Sequence, residues 1–427
     1  MIGKKKIQVL AFICVMATNL FGQEIDLGKL IVHAGSFVRD NTVVNVSLEG
    51  LDLDLTNKDL KVYEVKGKNK IPVNIYIEQG YHPRLWWVLS GTTKKGSKRT
   101  FQMMLSEKDT SKVSHRKPIV QVNKDIEDLI ITINDKKILR YRITPLPAPE
   151  GASLLYERSA FIHPLWSPKG EVLTRVQPPD HYHHVGIWNP WTHTEFENRK
   201  IDFWNLNKGQ GTVRTKKVTL VESSDVMGRF KAIHEHIDLT APDPTGSKVA
   251  LNEEWEVRVW NVDPNSAFWL VDFVSSMNCD SESPLIIQKY RYQGFGFRAT
   301  EKWNDKTATI LTSEGKNKTD GNGTRARWCN VNGVSDFGTS GILFMTNPSN
   351  YNYPEPLRIW PVGANNGKEN VFINFNPTQD RNWKLNPGNQ YVLKYRMLVY
   401  DGEITKERAE QAWNDYANPP KVELVLK

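Results

Sequence analysis

The residues best suited to chemistry in this sequence lie within one stretch, Glu171–Leu206. Histidine titrates near neutrality, so a group of histidines suits acid/base catalysis or metal binding. Indole rings beside polar groups offer the amphipathic surface on which sugars pack. The stretch contains His181, His183, His184, His193, Trp188, Trp191, Trp204, Asp180, Glu195, Glu197, Asp202 and Arg199. We interpret it as a functional site, against the alternative of a histidine-rich turn between strands with tryptophans in the core.

Three kinds of chemistry fit this stretch. The first is a metal site, because His-x-His is a common ligand pair on a strand and Asp180 or Glu195 adds a carboxylate. The second is hydrolysis of a glycosidic bond by two carboxylates drawn from Glu195, Glu197 and Asp202. The third is β-elimination or dehydration at a uronic acid. The basic residues of the chain favour elimination at a uronic acid over hydrolysis by a carboxylate pair.

Elimination next to a carboxylate needs a cation on that carboxylate, a base of near-neutral pKa, and an acid that protonates the leaving oxygen. Arginine supplies a bidentate cation, histidine the base and tyrosine the acid. The expected catalytic residues are His181, His183, His184, Arg298 and Tyr292, with Tyr290 as the alternative acid. The expected substrate-binding residues are His163, Trp188, Glu195, Asp202, Trp204, Arg291 and Arg327. No cofactor is expected, and a divalent metal is the alternative.

The orientation of the three histidines depends on the local backbone. If Asp180–Trp188 is an extended strand, alternation puts His181 and His183 on one face and His184 on the other. All three then enter one cleft only where a turn or a bulge intervenes. We therefore expect at least one of them to be a structural histidine.

The rest of the chain predicts an all-β protein. Its 427 residues exceed the usual size of a single core, and 28 Gly, 23 Pro and 14 Trp are typical of strands and turns. Short alternating strands predict a small N-terminal β-sandwich over residues 24–125. Longer strands over residues 126–427 predict a large antiparallel assembly of packed sheets. A short C-terminal helix is expected over Lys406–Tyr416, capped by Thr405.

The first residues predict export. A basic start at Lys4–Lys6 precedes the apolar run Ile7–Leu20, which is too short to span a bilayer. We expect a signal peptide of residues 1–23, cleaved near Gln23, and a periplasmic or secreted protein without membrane insertion. The formal net charge is +8, and removal of the three lysines at positions 4–6 leaves 8 − 3 = +5. This charge is too diffuse to indicate nucleic-acid binding; it favours an acidic substrate, with ordinary solubilising surface charge as the alternative.

Several motifs resemble those of the bacterial family labelled PmoA-like, a domain family of unassigned function common in polysaccharide-degrading bacteria. The motifs are Phe161–Gly170, Asp180–Trp188, Tyr290–Arg298, Thr324–Trp328 and Pro356–Pro361. The resemblance implies an antiparallel β-supersandwich like that of galactose mutarotases and several polysaccharide lyases, with sugars bound on the concave sheet. The family often carries Arg after the paired histidines, where this chain has Val185, which puts in doubt any role copied to that position.

These observations predict an exported carbohydrate-active enzyme of polysaccharide degradation. We expect a lyase or dehydratase whose substrate is an acidic oligosaccharide containing uronate, for example from an algal polysaccharide such as ulvan. The alternatives are a glycoside hydrolase and a non-catalytic sugar-binding protein. The N-terminal domain is expected to carry no catalytic group, since His82 and His115 there stand apart from other candidates.

Overall fold

Antiparallel strands make up most of the chain, which confirms the predicted all-β class. The computed structural model describes residues 24–108, 116–367 and 370–427, apart from positions 52, 243, 245, 264 and 266. The predicted signal peptide of residues 1–23 and the histidine His115 lie outside the described residues. No helix among the described residues combines the length and the apolar character needed to cross a membrane.

The N-terminal residues form two small sheets that pack against each other. Their strands are β1 (Ile25–His33), β2 (Arg39–Ser47), β3 (Lys58–Lys66), β4 (Asn69–Val73), β5 (Ile75–Glu78), β6 (Arg84–Thr93) and β7 (Lys98–Glu107). One sheet contains β1, β7, β3 and β4, and the other has the order β2-β6-β5. Leu30, Trp87 and Phe101 are buried between them because alternate residues of each strand face inward. His82 lies after β5, where it hydrogen-bonds Glu49.

The larger part of the chain forms two eight-stranded sheets and one four-stranded sheet. The strands are β8 (Val120–Lys124), β9 (Asp128–Ile133), β10 (Lys136–Arg142), β11 (Phe161–Leu165), β12 (Ile187–Trp188), β13 (Thr194–Phe196), β14 (Arg199–Ile201), β15 (Gly211–Ser223), β16 (Met227–Asp238), β17 (Lys248–Trp260), β18 (Phe268–Cys279), β19 (Leu285–Ile287), β20 (Phe295–Arg298), β21 (Ala308–Thr312), β22 (Trp328–Ser335), β23 (Gly338–Thr346), β24 (Leu357–Ile359), β25 (Phe372–Phe375), β26 (Trp383–Leu385) and β27 (Tyr391–Asp401).

The first eight-stranded sheet has the order β24-β25-β20-β12-β11-β10-β9-β8, and the second has the order β15-β16-β17-β18-β27-β23-β22-β21. The four-stranded sheet has the order β14-β13-β19-β26. The second sheet contains the longest strands, and β17 alternates buried and half-buried residues, which is typical of a strand with one face turned to solvent. One continuous core joins the sheets, with Trp255 and Phe273 from the second sheet packed near Phe295 of the first. The large antiparallel sandwich predicted for this part of the chain is therefore confirmed.

The described residues contain three short helical segments. A 3-10 turn covers Leu154–Tyr156, α1 is a single turn at Ala364–Gly367, and α2 covers Lys406–Ala417. The Thr405 hydroxyl accepts the backbone N–H of Arg408, so the predicted C-terminal helix and its cap are both confirmed.

The last strand returns to the N-terminal sheet. Residues Lys421–Leu426 form β28, which pairs antiparallel with β1. The N-terminal sheet therefore includes residues from both ends of the described chain. The division into residues 24–125 and 126–427 stays a prediction.

Candidate functional site

The three clustered histidines lie on a tight loop that precedes β12. An isolated bridge between Val176 and Val185 closes the loop. Within it, the backbone N–H of His181 donates to Pro178, and that of His184 donates to His181, both at 2.9 Å. The chain therefore turns where an extended strand was considered. The turn removes the alternation that would have separated the three side chains.

The three imidazoles converge on one another. Ring centroids are 4.7 Å apart for His181 and His184, 4.7 Å for His183 and His184, and 5.3 Å for His181 and His183. We call this group the histidine triad. It unites three of the predicted catalytic residues in one place.

The exit from the loop needs a glycine. Gly186 has a φ of 65°, and a Cβ added there would lie 2.2 Å from the carbonyl oxygen of Ile162 on β11. Any other residue would force the loop away from the strand it lies against. Gly186 therefore allows the loop that carries the triad to lie directly against β11.

An apolar layer supports the triad from beneath. We call it the aromatic floor, and its members are Phe161, Val185, Trp188, Trp204, Trp360 and Phe372. The His184 ring lies 5.0 Å from Trp188 and 5.0 Å from Phe372, between centroids. Trp188 and Trp204 are fully buried, so they support His184 rather than form the exposed sugar platform expected of them. Val185 is also fully buried in this layer, so its position faces the floor and not a cavity.

A buried carboxylate orients His181. Asp180 Oδ2 accepts His181 Nδ1–H at 2.9 Å, and further donors are Arg298 Nη2 at 2.7 Å, Asn365 Nδ2 at 2.8 Å and Asn370 Nδ2 at 3.3 Å. Burial acts to raise the pKa of Asp180, but the His181 hydrogen bond and the Arg298 charge outweigh it and hold that pKa well below its usual range. Asp180 is therefore ionised and keeps the proton of His181 on Nδ1. Within the described part of the chain, nothing hydrogen-bonds to His181 Nε2.

Arg298 lies behind the triad rather than in an open cavity. Its side chain is 1% exposed, its Nη2 pairs with Asp180, and its guanidinium stacks over the Trp360 ring at 4.9 Å. The Nη1 atom donates to His184 Nδ1 at 3.3 Å. We expected Arg298 to bind a substrate carboxylate, whereas its guanidinium is already shared between Asp180 and His184. Arg298 is therefore placed to position the other two residues.

The other two histidines are held neutral. Burial lowers the pKa of His183 to about 3, helped by the charges of His181 and Arg158, and burial likewise takes the pKa of His184 well below its usual value. Because a guanidinium has only donors, His184 Nδ1 must accept, and the proton of its neutral ring lies on Nε2. His184 consequently offers a donor to the centre of the triad, not a lone pair.

A cavity of about 220 Å³ opens on one side of the triad. We call it the arginine cavity, and its lining is His181, His183, His184, Asn205, Arg291, Tyr292, Arg358, Trp360, Ala364, Asn365 and Phe372. Arg291 and Arg358 are its charged groups beside the triad, and no carboxylate lines it. The predicted substrate-binding residue Arg291 and the predicted acid Tyr292 are therefore brought to the triad.

The two arginines of this cavity lack acidic partners. Among the described residues, no carboxylate forms an ion pair with Arg291 or Arg358. The Arg291 guanidinium lies 5.6 Å from the ring centroid of Tyr292, and Arg358 Nη1 donates to Asn322 Oδ1 at 3.0 Å. Arg358 Nε is buried without a partner, and burial together with the charge of Arg291 lowers the pKa of Arg358. Two guanidinium groups that line one cavity without an acidic partner are chemically suited to binding an anion.

Tyr292 lies beside these two arginines as a neutral phenol. Its hydroxyl donates to Asn205 Oδ1 at 3.0 Å, and its ring packs 5.4 Å from Trp204. Burial and the charge of Tyr290 raise the pKa of Tyr292 to about 12. The hydroxyl therefore keeps its proton at neutral pH and can donate it.

A second cavity, of about 420 Å³, opens on the other side of the triad. We call it the polar cavity, and its lining is Tyr156, Pro179, Asp180, His181, Tyr182, His183, Thr192, His193, Asp202, Asn205, Asn207, Lys208 and Tyr290. Asp202 accepts the backbone N–H groups of Trp204 and Asn205 at 2.9 Å each. Asp202, expected to bind substrate, thus lines this second cavity while also holding the loop that follows it.

Three other expected site residues lie away from both cavities. His163 Nδ1 is bonded to the Thr174 hydroxyl at 2.9 Å, and burial lowers the pKa of His163 to about 4. Glu195 accepts Gln288 Nε2 on the four-stranded sheet. Arg327 forms a bidentate pair with Glu410 at 2.8 and 2.9 Å and stacks on Trp413 of α2. Their partners are structural, so the expected role in substrate binding has no geometric support for any of the three.

A second group of histidines lies sealed within the core. Glu253 Oε2 accepts His236 Nε2–H at 2.9 Å, and Glu253 Oε1 accepts Asn189 Nδ2 at 2.7 Å and the Ser275 hydroxyl at 2.5 Å. His234 Nε2 and the Tyr141 hydroxyl are 2.7 Å apart. His234, His236 and Glu253, which we call the buried cluster, are at most 1% exposed. They lie on β16 and β17, where the alternating pattern gave no reason to separate them from ordinary strand residues.

Three nitrogen atoms of the triad, one from each histidine, lie within 4.8 Å of one another, so the triad is the candidate metal site among the described residues. His181 Nε2 is free to bind a metal, and the Asp180–His181 hydrogen bond is the kind that supports a metal-binding histidine. His184, however, carries its proton on Nε2 while Arg298 occupies Nδ1. With these hydrogen bonds in place, only His181 and His183 can offer a lone pair to a metal, whereas a catalytic zinc site has three protein ligands.

Sequence reasoning missed several residues of the site. Arg358 and Trp360 were within a quoted motif, but nothing in the strand pattern placed them beside the triad. Asn205 and Asn365 gave no signal because their roles depend on contacts across the fold. An arginine without a nearby acid in sequence is a weak signal, since ion pairs form between distant positions.

A family model described as a family of unknown function (DUF6807) matches residues 128–414, which include the triad and both cavities. No curated protein matches the chain.

Proposed function

The chain belongs to the DUF6807 family, whose function is unknown, and we propose from the site itself that it is a carbohydrate lyase or dehydratase that eliminates at a uronic acid. One observation carries the proposal. An imidazole oriented by Asp180, with a free Nε2, lines a cavity that also holds two arginines without acidic partners. This arrangement combines a base with a carboxylate-binding site, which is what elimination next to a carboxylate needs.

The arginine cavity binds the uronate carboxylate. Arg291 and Arg358 face its two oxygens and stabilise the negative charge that develops there when the adjacent carbon loses its proton. His181 Nε2 takes that proton. The electron pair of the broken carbon–hydrogen bond becomes the second bond of a carbon–carbon double bond. Asp180 stabilises the imidazolium that forms, and Arg298 keeps Asp180 in place.

Departure of the β-oxygen completes the reaction. The carbon–oxygen bond breaks as the double bond forms, and the leaving oxygen needs a proton. Tyr292 lines the same cavity and is protonated at neutral pH, so its hydroxyl supplies that proton. The tyrosinate regains its proton from the imidazolium of His181, which returns both residues to their starting states. No group outside the chain and the substrate is required for the balance of atoms.

Hydrolysis by paired carboxylates fits the site less well. Glu195 and Glu197 line neither cavity, and Glu197 pairs with Arg199. Asp180 and Asp202 both line the polar cavity, but Asp180 is held ionised by its donors. A hydrolase of this type needs one carboxyl group with a raised pKa as its acid.

The mechanism proposed uses no resident metal. Because His184 donates from Nε2, a metal would have to displace its proton and lose the Arg298 contact. Incubation with a chelator should therefore leave turnover unchanged, and metal analysis of the purified protein should find less than one equivalent. Stoichiometric zinc, with inactivation on its removal, would contradict this part of the proposal.

The biological setting is part of the proposal. The likeness to the PmoA-like family and the basic, apolar first residues support an exported protein that acts in polysaccharide degradation. Acidic polysaccharides such as ulvan are substrates of the expected class. Export is tested by N-terminal sequencing of the protein from culture, where a start near Glu24 is expected and retention of Met1 would contradict it.

Product analysis separates the three candidate functions. Incubation of the protein with uronate oligosaccharides should give an unsaturated uronate that absorbs in the ultraviolet. A glycoside hydrolase would give new reducing ends without this absorbance, and a sugar-binding protein would retain the ligand unchanged. Either of the last two results would overturn the proposed elimination.

A further inference from the structure

The two cavities meet at the triad. His181, His183 and Asn205 line both of them, with about 220 Å³ on one side and about 420 Å³ on the other. The proposed base therefore stands at their boundary. A ligand that reacts at His181 can extend into the polar cavity as well as into the arginine cavity.

The charges of the two cavities differ. Arg291 and Arg358 make the arginine cavity cationic. Asp180 and Asp202 line the polar cavity, with Lys208 as the cation beside them. Asp180 is paired with Arg298 at 2.7 Å, so its charge is offset within the protein. A second carboxylate in the polar cavity would meet Asp202 beside the single cation Lys208, and it would find no pair of guanidinium groups like Arg291 and Arg358.

The surface of the polar cavity suits a neutral sugar. Half-buried Tyr156 and Tyr182 meet edge to face with centroids 5.4 Å apart, and Tyr290 stacks on His193 at 3.7 Å. Tyrosine rings that line a cavity can pack on the C–H face of a pyranose with the sides that their ring partners leave uncovered, while the exposed Asn207 and Lys208 can bond its hydroxyl groups.

We infer that the polar cavity binds a neutral sugar joined to the uronate in the arginine cavity, so that the substrate has adjacent acidic and neutral sugars and is not a homopolymer of uronate. The inference rests on the proposed function only for the placement of the uronate. It adds a second subsite on the far side of His181.

Three ligands that share one uronate test the inference by calorimetry on the full chain. They are methyl glucuronoside, a disaccharide of glucuronate and a neutral hexose, and a disaccharide of two glucuronates. The mixed disaccharide should bind more tightly than the methyl glycoside, by roughly 2- to 12-fold for each aromatic ring on which the hexose packs. The diuronate should bind no more tightly than the methyl glycoside. Equal affinity for both disaccharides would overturn the inference.

A matched pair of tyrosine variants locates the effect. Tyr156→Ala should reduce the preference for the mixed disaccharide, whereas Tyr81→Ala, at a position 93% exposed in the N-terminal sandwich, should preserve it. An unchanged preference in Tyr156→Ala would contradict the assignment of the subsite. The wild-type ligand series decides the inference even if Tyr156→Ala is unstable.

Turnover in the same samples separates the inference from the proposed function. The expected binding pattern without an unsaturated product would retain the subsite and reject the elimination. An unsaturated product with equal affinities for the two disaccharides would do the reverse. A chain that binds none of the three ligands would contradict both.

Discussion

The triad and the buried cluster contain the same residue types in opposite surroundings. The triad lies on a turn and lines two cavities, and a hydrogen bond from His181 to Asp180 orients the His181 ring. The buried cluster is carried by neighbouring strands, and Glu253 accepts from His236, Asn189 and Ser275 inside the core. The difference shows that residue type alone does not identify a site. A free lone pair facing a cavity distinguishes a group that can react from one that stabilises the fold.

Removal of His181 should produce the largest effect on activity. Loss of a general base costs about 10²–10⁴ in rate, so His181→Ala should nearly abolish turnover while its melting temperature stays close to that of the wild type. Steady-state kinetics and thermal unfolding of the same sample measure both. His236→Ala is the matched control from the buried cluster. Wild-type turnover in His181→Ala would show that the triad does not supply the base and would contradict the functional difference between the triad and the buried cluster.

The arginine cavity should respond next. Loss of a donor that stabilises developing charge costs about 10²–10³ in rate, so Arg291→Ala and Arg358→Ala should each reduce turnover of acidic oligosaccharides by that order. Arg327→Ala, which removes a distant pair with Glu410, is the control and should retain turnover. Equal losses on a uronate substrate and on its carboxyl-reduced analogue would contradict the carboxylate role.

The buried cluster should show its effect in stability. His236→Ala removes a hydrogen bond to the buried Glu253 carboxylate, which should lower the free energy of unfolding by about 1.5–3 kcal/mol. The folded fraction should keep its turnover, because His236 contacts neither cavity. Denaturant unfolding with kinetics on folded protein measures this. A stability equal to the wild type with lost turnover would move the catalytic centre into the core.

The pH dependence of stability should be the smallest effect. Burial lowers the pKa of His234 despite the nearby Glu253. Below about pH 6.5, His234 is therefore protonated more fully in the unfolded chain than in the folded chain. Stability therefore falls as the pH falls, by up to about 1.4 kcal/mol per pH unit for this group. His234→Gln should have a shallower slope in acid. An unchanged slope, measured by denaturant unfolding across that range, would show that folding does not lower the pKa of His234.

Much of the fold followed from local patterns. The long strands expected over residues 126–427 predicted the large antiparallel sandwich, and the cap at Thr405 predicted α2. The site was predicted as a stretch but not in its details. The convergence of the triad depends on the turn and on Gly186, while the pairing of Arg298 with Asp180 and of Arg327 with Glu410 depends on residues far apart in sequence. Spacing alone contains no information on such partners.

The fate of the substrate's atoms tests the central claim most directly. A disaccharide of glucuronate and a neutral hexose, incubated with the wild-type protein in water labelled with heavy oxygen, should give an unsaturated uronate product without the label, because elimination adds no water to the sugar. His181→Ala should give none of this product under the same conditions. Labelled reducing ends without ultraviolet absorbance would show hydrolysis and contradict the elimination at the triad.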